Sequence, residues 1–164
     1  MKLTREQKCR EMKAEPTLRG FFRVLCSDPH APAAYWLDGD KKCSCTFGEL
    51  YDSALRCAGR VETLGCGKKD GWVGIAADTC PQWPVLFWGL VAAGRRPLLL
   101  DAGLDGEKLN YLMAQAGAAA LVSDRHREGI NAPVFDMAEL LNGRRAAGGG
   151  EWADMMAGCT SGTT

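Results

Sequence analysis

Residues 46–94, TFGELYDSALRCAGRVETLGCGKKDGWVGIAADTCPQWPVLFWGLVAAG, contain two helical patterns with a strand between them, and they decide the fold. The four residues that begin at Thr46 have the form of a capping box, in which a threonine and a glutamate satisfy each other's backbone N–H groups. Apolar residues then recur on one helical face until Gly65, which can end the helix. Residues 72–77 predict a short apolar strand, and residues 81–93 predict a second helix that is apolar on every side.

The same alternation continues towards the carboxyl terminus. Residues 97–100 predict a second apolar strand, and Asp105 can cap the helix that follows, which Gly117 can end. Residues 118–122 predict a third strand. Apolar strands that alternate with helices are typical of a parallel sheet that is covered on both faces. We therefore predict an α/β fold, in which a mostly parallel sheet is flanked by helices and the crossovers are right-handed.

The amino-terminal part of the chain is predicted to lie outside this alternation. Residues 1–16 are charged and weakly patterned, and we expect a leader that is frayed or helical. Residues 17–26 carry apolar side chains at helical spacing. Two short strands, residues 34–37 and 43–45, flank the turn sequence Asp-Gly-Asp at 38–40 and predict a hairpin.

The pattern is weaker in the last part of the chain. Residues 132–135 predict a short strand, and residues 137–141 predict a helical turn. Residues 142–150 end in three consecutive glycines and are expected to form a flexible link. Residues 154–159 predict a last strand, which leads directly into the segment 160–164.

Composition and charge exclude some classes of function. The chain has 164 residues, a length typical of one domain, and its 20 basic and 20 acidic residues give a formal net charge of zero. This balance argues against a nucleic-acid or membrane-surface partner. Basic pairs begin at Lys41, Lys68, Arg95 and Arg144, and we expect each pair to be solvated. The longest apolar run, residues 83–93, is too short for a membrane span.

The eight cysteines include no Cys-x-x-Cys pair, which argues against a zinc knuckle. Residues 1–16 lack the apolar stretch of a secretory signal, so we expect reduced thiols and a cytoplasmic location. The two histidines, His30 and His126, lie in polar, loop-like sequence. We therefore expect neither a two-histidine metal site nor a Ser-His-Asp triad.

The last five residues, Thr160-Ser161-Gly162-Thr163-Thr164, have a composition that suits phosphate binding. The glycine permits a positive φ, so that successive backbone N–H groups can converge on an anion, and the hydroxyl groups add neutral donors. The Gly-x-x-x-x-Gly-Lys-Ser/Thr signature does not occur in the chain. A tail rich in Ser, Thr and Gly is also typical of a disordered end, and composition alone leaves both interpretations open.

In this context the chain resembles the adenylate-forming (AMP-binding) superfamily of acyl-CoA synthetases, aryl-acid ligases, peptide-synthetase adenylation domains and luciferases. Residues 46–94 resemble its capped helix, strand and buried helix, and residues 97–124 resemble its next strand, helix and strand. CTSGTT at 159–164 resembles the opening of its signature phosphate loop. The resemblance covers nearly all of residues 17–164 and implies the N-terminal subdomain of the adenylate-forming fold.

The resemblance implies a two-step ligase reaction in the parent enzyme. A small-molecule carboxylate attacks the α-phosphate of ATP to give acyl-AMP and pyrophosphate, and a thiol, expected to be coenzyme A, then displaces AMP. Mg²⁺ is implied as a cofactor, because phosphoryl chemistry depends on positioning and charge neutralisation. Thr160, Ser161, Gly162, Thr163 and Thr164 are implied as ligands of the β- and γ-phosphates. No residue of the chain is assigned as a general acid, base or nucleophile.

The chain departs from the family pattern in three places. Arg95-Arg96 stands where the family has small residues, and Asp101-Ala102 stands where a proline often follows. Asp101 and Asp78 are expected to cap helices or turns. The family's later adenylate-binding groups would follow residue 164, so we expect the chain alone to be inactive and to need the missing C-terminal portion of its own fold.

A second hypothesis comes from a different class of function. The chain could be a non-catalytic α/β interaction module or a natural truncation, in which exposed aromatic residues form an apolar surface that binds a partner. We expect these aromatic residues to be core instead, because the helix predicted at 81–93 is apolar on every side. The residues concerned are Trp72, Trp83, Phe87 and Trp88.

Overall fold

A computed structural model describes residues 3–142 and 151–159 of the chain. The predicted link at 142–150 therefore lies outside the described residues except for Asn142, which ends the last helix. The elements in chain order are α1 (Arg5–Ala14), α2 (Leu18–Leu25), β1 (Pro32–Asp38), β2 (Lys41–Thr46), α3 (Phe47–Leu64), β3 (Trp72–Ala76), α4 (Trp83–Ala92), β4 (Arg96–Leu99), α5 (Gly106–Ala116), β5 (Ala118–Ser123), β6 (Val134–Asp136), α6 (Met137–Leu141) and β7 (Ala157–Gly158).

The main sheet is parallel throughout its described strands, as predicted from the alternation of strands and helices. Its order is β6-β5-β3-β4-β7, so β3 is the central strand. Gly74 of β3 is level with Leu98 of β4 on one side and with Leu121 of β5 on the other. Strands β1 and β2 pair separately as the predicted antiparallel hairpin.

Helix α3 forms as its sequence predicts. The Thr46 hydroxyl accepts a hydrogen bond from the backbone N–H of Glu49 at 3.2 Å. The carboxylate of Glu49 in turn accepts from the backbone N–H of Thr46 at 2.8 Å. The helix ends at Gly65, whose φ of 66° is the left-handed conformation that favours glycine at a helix C-terminus.

Three local predictions need correction. Helix α4 begins at Trp83, two residues after the predicted start, because Pro81 and Gln82 form a turn. The last strand is shorter than predicted and spans only Ala157–Gly158. Arg95 is not solvated: it is 6% exposed, and its guanidinium donates to the carbonyl oxygens of Cys66 and Ala93. A buried guanidinium needs hydrogen-bond acceptors, and here two backbone carbonyls supply them.

The faces of the sheet follow the alternation along β3. Val73 and Ile75 point to the face covered by α3, α4 and α6. Ala76 points to the opposite face, where α5 contributes Leu109 and Met113 to the core. Among the described helices, none is long and apolar enough to cross a membrane.

A cluster of stacked aromatic rings joins α2, α3 and α4 at one end of this core. Phe22 of α2 is completely buried and stacks on Trp88 of α4, with ring centroids 4.2 Å apart. Tyr51 of α3 and Trp152 lie 5.6 and 6.0 Å from Phe22. We call Phe22, Tyr51, Trp88 and Trp152 the aromatic cluster. Phe87 and Trp88 are each 8% exposed, which confirms that they belong to the core.

Candidate functional site

The carboxyl ends of the parallel strands meet at one edge of the sheet, and this carboxyl edge is the candidate site. In open α/β sheets, ligands bind in crevices outside this edge. The backbone N–H of Cys159, just after β7, donates to the carbonyl of Leu99 at the end of β4 at 3.1 Å. The predicted phosphate ligands Thr160, Ser161, Gly162, Thr163 and Thr164 follow directly in sequence, and all five lie outside the described residues.

A structured turn borders the place where the chain leaves β7. This β4–α5 turn comprises residues 100–105. The Asp101 carboxylate accepts from the backbone N–H of Gly103 at 2.7 Å, and the N–H of Leu104 donates to the Asp101 carbonyl at 3.2 Å. Asp105 then caps α5 by accepting from the N–H of Lys108 at 2.9 Å. The expectations that Asp101 caps a turn and that Asp105 caps a helix are both confirmed.

The guanidinium of Arg127 connects this turn to the neighbouring strands. It donates to the carbonyls of Ala102 at 2.7 Å and of Leu104 at 3.1 Å, both in the β4–α5 turn. It also donates to the carbonyl of Ala76 in β3 at 3.2 Å and to the hydroxyl of Ser123 in β5 at 3.0 Å. Ser123 is 1% exposed and donates its own hydroxyl proton to Ala76, so the whole arrangement is partly buried.

A more exposed ion-pair cluster lies beside it on the same edge. Arg125 contacts the carboxylates of both Asp78 and Asp124. The Asp124 carboxylate also accepts from the backbone N–H of Asp78 at 2.9 Å, so the cluster ties the segment after β3 to the segment after β5. The Asp78 carboxylate pairs with Arg125 rather than capping a helix or turn, which corrects that part of the prediction.

We expect Asp124 to titrate at unusually low pH. The hydrogen bond from Arg125 and, secondarily, the N–H of Asp78 lower the pKa of Asp124 from 3.8 to about 2. A lowered pKa in the folded state means that this carboxylate stabilises the fold above pH 4, and that the contribution is lost as pH falls towards 2. Replacement of Arg125 by Gln removes the charged donor, so the Asp124 pKa should rise towards its ordinary value.

Carbon-detected NMR of the Asp124 carboxyl carbon between pH 1.5 and 6 measures this directly. Asp136 is the reference, because it is the last residue of the neighbouring strand β6 and its carboxylate accepts from the backbone N–H of Ala138 at 2.7 Å rather than from Arg125. A wild-type midpoint near 4 for Asp124, or no change in the Arg125→Gln variant, would contradict the expectation.

The described residues provide no reactive thiol in the core and no metal cluster. All eight cysteines are free, and burial raises the pKa of Cys57 and of Cys66 to about 12. Thiols with so high a pKa are poor nucleophiles at neutral pH. Within residues 3–142 and 151–159, no group of three or more His, Cys, Asp or Glu side chains is placed to hold a metal ion.

Arg127 and Ser123 are site residues that the sequence interpretation missed. The stretch Asp124-Arg125-His126-Arg127 reads as polar loop, and nothing in its composition distinguishes an arginine that donates to four acceptors from an exposed one. The one available signal is Ser123, a hydroxyl residue at the end of an otherwise apolar strand.

Comparison with known proteins gives a consistent set of matches. The model of the family described as AMP-binding enzyme matches residues 21–146. Nonribosomal peptide synthase roqA of Penicillium rubens is 29% identical over 97 residues, which are 58% of this chain and 4% of that protein. The 4-hydroxybenzoate–CoA/benzoate–CoA ligase of Rhodopseudomonas palustris is 32% identical over 74 residues, which are 45% of this chain and 14% of that protein. The chain therefore spans a small part of these relatives.

Solved structures share the fold at low sequence identity. The N-terminal subdomain of NpsA from Klebsiella oxytoca, in complex with 3-hydroxybenzoyl-AMSN, matches with a TM-score of 0.73 and 17% identity, over 85% of this chain and 36% of that chain. O-succinylbenzoate coenzyme A synthetase (MenE) from Bacillus subtilis, in complex with AMP, matches with a TM-score of 0.66 and 15% identity, over 76% of this chain and 33% of that chain.

Proposed function

Because this chain belongs to the AMP-binding enzyme family, we propose that the protein carrying it is an ATP-dependent ligase that activates a carboxylate as acyl-AMP. In the first step the carboxylate attacks the α-phosphate of ATP and pyrophosphate leaves. In the second step a thiol attacks the acyl carbon and AMP leaves. Coenzyme A is the proposed thiol, on the ground that coenzyme A ligases are among the relatives.

One observation carries this proposal in the structure. The hydrogen bond between Cys159 and Leu99 places the end of β7 beside β4 at the carboxyl edge. Cys159 is the last described residue at this edge, where ligands of open α/β sheets bind, and the segment 160–164 follows it in sequence. Its hydroxyl and backbone N–H groups are the neutral donors that a polyphosphate requires.

The proposed roles divide between this segment and the rest of the parent protein. Thr160, Ser161, Thr163 and Thr164 would donate hydroxyl hydrogen bonds to the β- and γ-phosphates, and Gly162 would permit close approach of the backbone. Mg²⁺, when bound, neutralises phosphate charge during the transfer. The acid and the adenosine would be bound largely by the missing C-terminal portion of the fold, so we propose that the 164-residue chain alone is inactive.

The interaction-module hypothesis receives less support. It needs the aromatic side chains of α4 at the surface, whereas Phe87 and Trp88 are each 8% exposed. Trp72 and Trp83 are partly buried as well, and both pack against the core. These four residues therefore offer no continuous aromatic surface for a partner.

ATP–pyrophosphate exchange by the full-length protein, with a panel of carboxylic acids, tests the proposal. We expect exchange with at least one acid, and none with the 164-residue chain alone. Ser161→Ala should lower the exchange rate about 10- to 30-fold, because a hydrogen bond to a charged group contributes about 1.5–3 kcal/mol and neighbouring donors remain.

Thr63→Val is the matched control, because Thr63 is an exposed residue of α3 whose hydroxyl donates only to the Gly59 carbonyl. Its exchange rate should equal that of the wild type. Absence of exchange with every acid would overturn the proposed reaction, and a Ser161→Ala variant as active as the control would overturn the assignment of the segment 160–164.

A further inference from the structure

Strand β7 forms one edge of the main sheet, and its surroundings are unusually exposed for a parallel sheet. Among the described strands it pairs only with β4, so no described strand lies along its outer edge. Met155 and Met156, which directly precede it, are 49% and 46% exposed, and Gly158 and Cys159 are exposed as well. Parallel sheets occur almost only where other layers cover both of their faces. The exposed methionines therefore indicate that a covering layer belongs here.

The other strands of the same sheet show the expected degree of burial. Residues 73–76 of β3 and residues 120–123 of β5 are all buried. At the opposite edge of the sheet, Phe135 of β6 packs against the same core cluster as Leu140 of α6. No described helix gives β7 a comparable cover, because the described part of the chain ends at Cys159.

A cavity of about 510 Å³ lies beside the segment that precedes β7. Its lining includes Met12 of α1, Leu18 of α2 and Asp154, the residue before Met155. Methionine side chains are flexible and polarisable, so they adapt to the shape of whatever packs against them. We call residues 154–159, together with this cavity, the β7 surface. It combines apolar side chains with the unpaired edge of a strand.

The family to which the chain belongs indicates what covers this surface. The N-terminal subdomain of NpsA matches 85% of this chain, yet the matched part is only 36% of that subdomain. Most of the subdomain therefore has no counterpart in this chain. A second copy of the chain is a poorer occupant, because β7 spans only Ala157–Gly158 and offers few backbone hydrogen bonds to a partner strand.

We propose that the β7 surface is the docking face for the remaining portion of the parent protein's own fold, which covers Met155 and Met156. The proposal rests on the part of the proposed function that places the chain within a longer protein, and it does not depend on the reaction. The docking portion needs an apolar face that packs against the two methionines. Without that portion, an apolar surface beside an unpaired strand edge is a site of aggregation.

Oxidation of the native methionines by hydrogen peroxide measures this cover in the full-length protein. Each thioether gains one oxygen atom from peroxide and becomes a sulfoxide, which mass spectrometry of the peptides assigns to its residue. Met155 and Met156 should oxidise at least about 10-fold more slowly in the native protein than in the same protein unfolded in urea. Met113 and Met137 are the buried references, since they are 3% and 4% exposed in the core. All four residues should be protected to a similar extent.

A charged substitution gives a second readout in the full-length protein. Met156→Glu should lower the Tm by about 5 °C or more, because docking would bury a carboxylate that has no partner. Tyr111→Glu is the control, because Tyr111 on α5 is 64% exposed and lies outside the β7 surface. Its Tm should stay within about 2 °C of the wild type. If Met156→Glu is poorly folded, the oxidation experiment still decides, because it uses the wild-type protein.

The outcomes distinguish this proposal from the proposed reaction. Oxidation of Met155 and Met156 within about twofold of the unfolded rate would overturn the docking face, whatever the activity of the protein. Protection that disappears on dilution would also overturn it, because a second copy would then be the cover. A full-length protein no longer than this chain would do the same. Protected methionines in a protein that exchanges pyrophosphate with no acid would overturn the reaction and support the docking face.

Discussion

Replacement of Phe22 by alanine is expected to lower the free energy of unfolding by about 4 kcal/mol, within the range of roughly 3–5 kcal/mol for buried Phe→Ala changes. Phe22 is completely buried, and its ring stacks on Trp88 with an interplanar angle of 14°. Its removal leaves a cavity between α2, α3 and α4 and deprives the other members of the aromatic cluster of their common contact.

The neighbouring phenylalanine provides a matched control. Phe21 is 39% exposed, and its ring lies 6.3 Å from that of Trp88. Because much of its surface already contacts water, Phe21→Ala should cost only about 1 kcal/mol at roughly 25 cal/mol per Å² of apolar area. Urea unfolding followed by tryptophan fluorescence measures both variants. Equal losses of stability would show that the cluster does not hold α2 to the core.

Replacement of Gly89 by alanine has the second largest expected effect, a loss of about 2–3 kcal/mol in the free energy of unfolding. A Cβ at this position of α4 would lie 2.5 Å from the Cys57 sulfur and 2.6 Å from the Cys57 Cβ of α3. The Cys57 Cβ cannot rotate away, so one helix must shift. Alanine gains about 1 kcal/mol of helix propensity over glycine, which offsets only part of this cost.

A double-mutant cycle isolates the contact between the two helices. Cys57→Gly removes both clashing atoms, so the Cys57→Gly/Gly89→Ala double variant should be at least about 1 kcal/mol more stable than the sum of the single changes predicts. Thermal or urea unfolding of the four proteins gives the coupling energy. A coupling energy of zero would mean that α3 and α4 can move apart to admit the added methyl group with no loss in the free energy of unfolding.

Much of the fold could be predicted from sequence because its signals are local. The capping box at Thr46, the glycine at the end of α3 and the apolar strand at 72–77 each depend on residues within one or two turns of each other. The start of α4 was misplaced because Pro81 and Pro84 can both begin a helix, and only the turn at Pro81 and Gln82 distinguishes them.

The interactions that the sequence does not reveal are long-range. In the sequence, Arg95 is one member of a basic pair. In the structure its guanidinium is buried and donates to the carbonyl of Cys66, 29 residues earlier. Arg127 reads as polar loop, and its partner Ala76 lies 51 residues earlier. Backbone carbonyls carry no sequence signature, because every residue has one. The prediction for the segment 160–164 came from the family resemblance, and that segment lies outside the described residues.

The order of strands in the sheet has a consequence for synthesis on the ribosome. Leu98 of β4 is level with Ala157 of β7, although the two lie far apart in the chain. At roughly 5–20 residues per second, several seconds separate the emergence of these two strands. Strands β3, β4 and β5 can therefore pair with one another while the edge of β4 that later pairs with β7 is still unpaired. Among the described strands of this sheet, β7 emerges last, so its place beside β4 is filled only after the other strands have had time to assemble.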